Sequence, residues 1–144
     1  MNPNIKLYTS YFGKLSALKS VGIIPICIAR GIPKFYNGPV LQSVAPYSWM
    51  LSDRVSREEY IDAYFNKVLV GVDPQKFLHQ CSAISGGHDV ALLCYEKPSD
   101  FCHRHLLAEW LESKTGIRVT EFGVSGEPWK VKKIKTEQLN LFDV

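Results

Sequence analysis

Apolar and polar positions change period several times along the chain, and each change marks an element. Residues 5–9 (Ile-Lys-Leu-Tyr-Thr) alternate, the two-residue period of a half-buried strand. A short helix is expected over residues 14–18. Gly22 opens an apolar run over residues 23–28, a second strand. Pro25 has no N–H to give to a ladder, so this strand is expected at a sheet edge. Residues 31–52 interleave Pro33, Gly38, Pro39 and Pro46 with Phe35, Tyr36, Tyr47, Trp49 and Met50. That mixture predicts a long irregular segment, and such loops in compact domains are usually functional or packed over a site.

The next signals are helical. Ser56 followed by Glu59 forms a capping box. Tyr60, Ile61, Tyr64, Phe65, Val68 and Leu69 then fall on one face at helical spacing, and Gly71 closes the helix. Asp73 as N-cap and Pro74 at the first helical position begin another helix. Its expected buried face is Phe77, Leu78, Cys81 and Ile84, and Gly86 and Gly87 break it. Residues 90–95 are continuously apolar between helices, which predicts a central parallel strand buried on both faces. A helix is expected over residues 101–113 with Leu106, Leu107, Trp110 and Leu111 inward, then a last strand over residues 117–122. Strands alternating with helices define an α/β protein: a single three-layer domain over residues 1–122 with a small, mostly parallel sheet. Residues 123–144 read as a flexible basic tail.

Composition narrows the class. The apolar content of 46% is ordinary for a globular domain. No run reaches the roughly 20 apolar residues that span a bilayer. Met1, Asn2, Pro3 and Asn4 do not begin a secretory signal, so the protein is expected in the cytoplasm. Cys27, Cys81, Cys94 and Cys102 do not form a disulfide framework by number or spacing, and reduced thiols are expected. The net charge of +3 does not argue for nucleic-acid binding by itself. Lys130, Lys132, Lys133 and Lys135 are clustered, however, and suit either nonspecific contact with DNA phosphates or a solvated linker.

The densest chemistry lies at the end of the predicted central strand and the start of the following helix. Cys94, Glu96 and Lys97 sit at a strand's carboxyl end, where open α/β sheets bind ligands. Cys102, His103 and Arg104 open the next helix. A helix N-terminus carries free N–H groups and partial positive charge. With Arg30, Lys97 and Arg104 added, it makes a site for a phosphate or carboxylate. The same field favours a Cys102 thiolate, and Cys102 stands open between core filler and nucleophile. His103 and Glu96 are candidates to move a proton. Cys94 reads as a small core residue, and His105 as solvated on the opposite helix face. Glu96 needs a partner such as Arg104 or Arg30. The Cys-x7-Cys-His gap is not a usual zinc spacing, so no metal is expected. Asp100 stands where a cysteine-phosphatase cradle needs arginine, and no cofactor fingerprint is present.

Leu93-Cys94-Tyr95-Glu96 followed by Cys102-His103-Arg104 resembles the hallmark of the bacterial family numbered four-eight-eight among domains of unknown function. Arg30 and Pro33 resemble a second feature of that family. The family typically has Asp two residues before this arginine, where this chain has Ile28. The resemblance spans roughly residues 5–122 and implies an α/β fold with a polar pocket, without a settled activity.

Gln138-Leu139-Asn140-Leu141-Phe142 resembles the peptide Gln-Leu-x-Leu-Phe that binds the bacterial sliding clamp. Four fixed positions should occur by chance in roughly one chain of this length in several hundred. An extended terminus can seat Leu141 and Phe142 in an apolar pocket while Gln138 makes directional hydrogen bonds. The alternative is a terminal strand that packs on its own domain. The tail implies the DNA polymerase sliding clamp of a bacterial or phage-infected cell as partner. Two functions stay open: a clamp-tethered enzyme of DNA metabolism acting on a nucleotide or DNA phosphate, or a non-enzymatic clamp-binding adaptor or competitor.

Overall fold

A computed structural model describes residues 1–95 and 101–124. Its centre is a four-stranded sheet: β1 (Leu7–Tyr11), β2 (Ile24–Cys27), β3 (Val90–Cys94) and β4 (Val119–Glu121). The order is β2-β3-β1-β4, and every pairing is parallel. β3 is buried along its whole length, as an uninterrupted apolar run requires in a covered parallel sheet. Pro25 lies in β2 at the sheet edge, where its missing N–H breaks no ladder on the outer side. β1 begins two residues later than the alternation alone suggests.

The four helices are α1 (Leu15–Ser20), α2 (Arg57–Ala63), α3 (Pro74–Ser85) and α4 (His103–Thr115). Successive strand side chains point to opposite faces, and the sheet therefore carries two apolar clusters. On one face Ile26, Leu92 and Val119 pack with Tyr64, Phe77 and Leu107 from the α2–α4 side. On the other, Cys27, Ala91 and Leu93 pack with Phe12, Leu18 and Tyr36, beside α1. The sheet is thus the middle of three layers. Among the described residues, no helix is long and apolar enough to cross a membrane.

Local signals set several boundaries. The Asp73 carboxylate accepts from the Gln75 and Lys76 N–H groups at 2.9 and 3.1 Å, and Gly86 ends α3 at φ 65°, where a side chain would be strained. Ser56 and Glu59 complete their capping box at 3.0 and 2.9 Å. Three expectations need correction. The helix after Ser56 is not uniform: α2 passes into a π turn over Tyr64–Val68 and a 3-10 turn over Leu69–Gly71. The wider turn keeps Tyr64, Phe65 and Val68 all buried. Ile84 is 40% exposed, because α3 faces the core through Phe77, Leu78, Cys81 and Ser85, and Ile84 sits at the margin of that stripe. α4 starts two residues later than expected, which makes Cys102 its N-cap.

Residues 31–52 contain two 3-10 turns, Gln42–Val44 and Ser48–Leu51, and a bridge between Cys27 and Val40. Gln42 ties this segment to the end of β2 by donating to the Ala29 and Arg30 carbonyls at 3.1 and 2.7 Å. The Arg30 Nε donates to the Pro46 carbonyl at 2.8 Å. These bonds fix the loop over the carboxyl ends of β2 and β3.

Candidate functional site

A cleft of about 330 Å³ opens at those strand ends. Arg30 reaches it from the end of β2, Arg57 from the first turn of α2, and Cys94, Cys102 and His103 from the end of β3 and the start of α4. One wall is aromatic: the Arg57 guanidinium lies 4.7 Å over the Phe101 ring, which meets Tyr60 edge-on at 5.2 Å. Tyr60 stacks on Tyr64, and Tyr64 meets the His103 ring at 5.7 Å. The charged side chains that line the cleft among the described residues are Arg30 and Arg57, both positive.

His103 is buried. Its Nε2 lies 2.8 Å from the Ile28 carbonyl, an acceptor only, so Nε2 carries the proton. Nδ1 is then the lone-pair nitrogen, 3.8 Å from the Cys102 sulfur. Burial pushes the imidazole down to about 4, with Arg104, His105 and Arg30 adding to the fall against the Ile28 hydrogen bond. His103 is therefore neutral at ordinary pH. Ile28 lacks the carboxylate that the resemblance leads one to look for, and its backbone oxygen orients the ring instead.

Cys94 and Cys102 are joined by a disulfide, which corrects the expectation of four reduced thiols. The two cysteines are eight positions apart in sequence, and the fold brings a strand end and a helix N-cap together, a proximity that spacing does not disclose. In this state Cys102 has no thiolate to act as nucleophile. Cys27 and Cys81 are free and buried. Burial pushes the Cys81 thiol up to about 12 and raises that of Cys27, so both are inert at neutral pH. The ligand atoms of Cys94, Cys102 and His103 all lie within 4.8 Å of one another.

Arg104 lies behind the cleft, fully buried. Its Nε and Nη2 donate to the two Glu121 oxygens at 3.1 and 3.0 Å, and its Nη1 to the Cys94 sulfur at 2.9 Å. Among the described residues, the carboxylate facing it is thus Glu121 on β4. Thr9 donates to Glu121 Oε1 at 2.6 Å, and His105 Nε2 lies 3.2 Å from the same oxygen. Burial pushes the Glu121 carboxyl up, but the hydrogen bonds from His105, Arg104 and Thr9 and the arginine's charge outweigh it and hold it below its ordinary value. His105 is buried rather than solvated, because the first six residues of α4 are enclosed by the domain on every side. Burial lowers its basicity against the pull of Glu121.

Of the residues singled out from sequence, the structure gathers Arg30, Cys102 and His103 at the cleft and places Arg104 against Glu121. Glu96 and Lys97 lie outside the described residues. So do Gln138, Leu139, Leu141 and Phe142, and Lys130, Lys132, Lys133 and Lys135. Arg57 and Glu121 were missed. Arg57 follows the Ser56 N-cap, and a loop crossing the strand ends delivers that cap to the cleft. Glu121 sits two residues after Val119 on one strand face, so its inward direction was readable and its partner was not.

A parallel sheet between two helical layers defines the chain as an α/β protein, and the cleft lies outside the carboxyl ends of its strands. The chain matches the family described as the active DUF488-N3 subclade over residues 28–115, more than half its length, and belongs to that family. No curated protein and no solved structure matches it.

Proposed function

We propose that the chain is a protein of DNA metabolism that docks on the replication sliding clamp and binds a phosphate-bearing ligand, a nucleotide or a DNA phosphate, in the cleft beside α4. The observation that carries the ligand class is the pairing of Arg30 and Arg57 across a cleft with no described carboxylate. Two guanidinium groups from separate elements suit the oxygens of a phosphate. Phe101, Tyr60 and Tyr95 supply ring faces on which a base can stack. The Arg30 Nη1 makes no hydrogen bond among the described residues, whereas its Nε is held by Pro46. That leaves a positioned donor for an incoming oxygen. Hydrolase or transferase chemistry on the phosphate fits this arrangement, with Glu96 and His103 as the groups to handle a proton. The clamp assignment rests on Gln138, Leu139, Leu141 and Phe142 alone.

The test has two arms. A fluorescent mononucleotide and a short single-stranded oligonucleotide are titrated against the full chain, Arg30→Ala and Arg57→Ala. A charge-assisted hydrogen bond contributes about 1.5–3 kcal/mol, so each variant should bind at least about tenfold more weakly. Equal affinity across the three proteins would overturn the cleft assignment. Separately, purified clamp is titrated with the full chain and with one ending at residue 137. Loss of clamp binding with nucleotide binding intact supports the tether, and undiminished clamp binding removes it. The adaptor reading draws support from the Arg104–Glu121 pair, which is structural. It predicts that residues 123–144 fused to an unrelated domain reproduce the cellular effect.

A further inference from the structure

The geometry points to a zinc site in the reduced chain, formed by Cys94 Sγ, Cys102 Sγ and His103 Nδ1, with its fourth position open to the cleft. Three observations carry it. First, the three ligand atoms already lie within 4.8 Å of one another, and Cys102 Sγ is 3.8 Å from His103 Nδ1. Zn–S and Zn–N bonds of about 2.3 and 2.0 Å at tetrahedral angles put neighbouring sulfur and nitrogen about 3.6 Å apart. Little movement of the imidazole is needed.

Second, the surroundings of these atoms are those that prepare metal ligands. A zinc-bound histidine donates its other ring N–H to a carbonyl or carboxylate, which fixes the tautomer and aims the free lone pair at the metal. His103 does this through Nε2 and Ile28. Cys94 receives an N–H from the buried Arg104 at 2.9 Å, a charge that favours thiolate over thiol. Neither arrangement is needed by a cysteine that merely fills a core.

Third, all three residues border the cleft, although each side chain is buried. A three-ligand site with one face on a cavity leaves a position for water or for a ligand oxygen, the arrangement of catalytic rather than structural zinc. Two thiolates and an imidazole select zinc over magnesium or calcium, which take oxygen ligands. If the cleft binds phosphate as proposed, the ion would lie against that ligand. Metal binding itself does not depend on that reading.

The chemistry balances as two steps. Two equivalents of a small thiol break the Cys94–Cys102 bond and leave as their own disulfide, and each protein sulfur takes up one proton. Zinc then displaces both protons, and the two thiolates neutralise its charge. The disulfide and the metal-bound form are therefore alternative states of one pair of sulfurs.

The experiment uses the full chain, reduced and stripped of metal under nitrogen. Zn²⁺ is titrated against a chromophoric chelator, and Co²⁺ is added in parallel. One equivalent should bind per chain, with the sulfur-to-cobalt charge-transfer band of a two-thiolate tetrahedral site. Cys94→Ser, Cys102→Ser and His103→Gln should each weaken binding about a hundredfold, whereas Cys27→Ala and Cys81→Ala should not change it. Alkylation of the unaltered chain keeps the test decisive where a variant does not fold. Zinc should protect two thiols, which peptide mapping assigns to Cys94 and Cys102. No stoichiometric binding, an octahedral cobalt spectrum, or protection mapping to other cysteines would overturn the site. The nucleotide titrations use no metal, so the two readings fail separately.

Discussion

Replacing Glu121 by glutamine should destabilise the protein far more than a conservative change on an edge strand normally does. The substitution keeps size and shape but removes the charge opposite Arg104, whose side chain is 0% exposed. The arginine cannot shed its proton, and it is fully buried. Breaking a buried pair by removing one partner costs about 3–5 kcal/mol, because the other charge stays buried and loses the carboxylate that faced it. A domain of this size is stable by about 5–15 kcal/mol, so the variant loses about a fifth or more of its margin. With a urea dependence of about 2 kcal/mol/M, the unfolding midpoint should fall by about 1.5–2.5 M. Equilibrium urea unfolding followed by tryptophan fluorescence measures this directly. The double variant Arg104→Met, Glu121→Leu supplies the control. It removes both charges together and should be more stable than Glu121→Gln alone. A loss under about 1 kcal/mol in the single variant, or a double variant no better than the single, would refute the account of a compensated buried charge.

Acid should erode the same interaction. Arg104, His105 and Thr9 face the Glu121 carboxylate and hold its proton affinity below the ordinary carboxylate value of 4.5. Its contribution is therefore complete above that pH and is lost as pH falls through the lower folded value. The stability gap between the unaltered chain and Glu121→Gln should narrow from pH 7 into strong acid, and an unchanged gap would contradict the assignment. In α3, Phe77→Ala should cost about 3–5 kcal/mol and Ile84→Ala well under 1 kcal/mol, since Phe77 is 1% and Ile84 40% exposed. Thermal unfolding of the two variants checks this, and equal shifts would mean that α3 packs in another rotation.

These comparisons show which features local sequence determines. α3 was legible at both ends because Asp73, Pro74 and Gly86 act on their own backbone. β3 was legible because a short apolar run between helices, bounded by turn residues, fits a parallel strand covered on both faces. The π turn at Tyr64 was not, since a 3.6-residue period and a widened turn place the same side chains inward. His105 failed for a different reason. A polar residue on a helix reads as solvent-facing unless an inward partner exists, and that partner belongs to β4, on the far side of β1. The contact follows from the register Thr9↔Glu121, which no local pattern reveals. Cys94, Cys102 and His103 belong to the same class: their proximity follows from α4 returning over the end of β3.

The division of labour between the two arginines first grouped as anion holders follows from the same topology. Arg104 points inward from the first turn of α4, and both edges of its guanidinium are occupied, by Glu121 and by Cys94. An anion reaching it would have to displace a buried carboxylate, at a cost no single phosphate contact offsets. Arg30 is anchored by Nε and Nη2 to the Pro46 and Ala45 carbonyls of the loop, and lines the cleft together with Arg57. Stability thus rests on one guanidinium group, and the proposed ligand binding on another, four elements away in the chain. Substituting Arg30 therefore tests the proposed binding without touching the buried pair, whereas substituting Arg104 disturbs that pair and the Cys94 contact first.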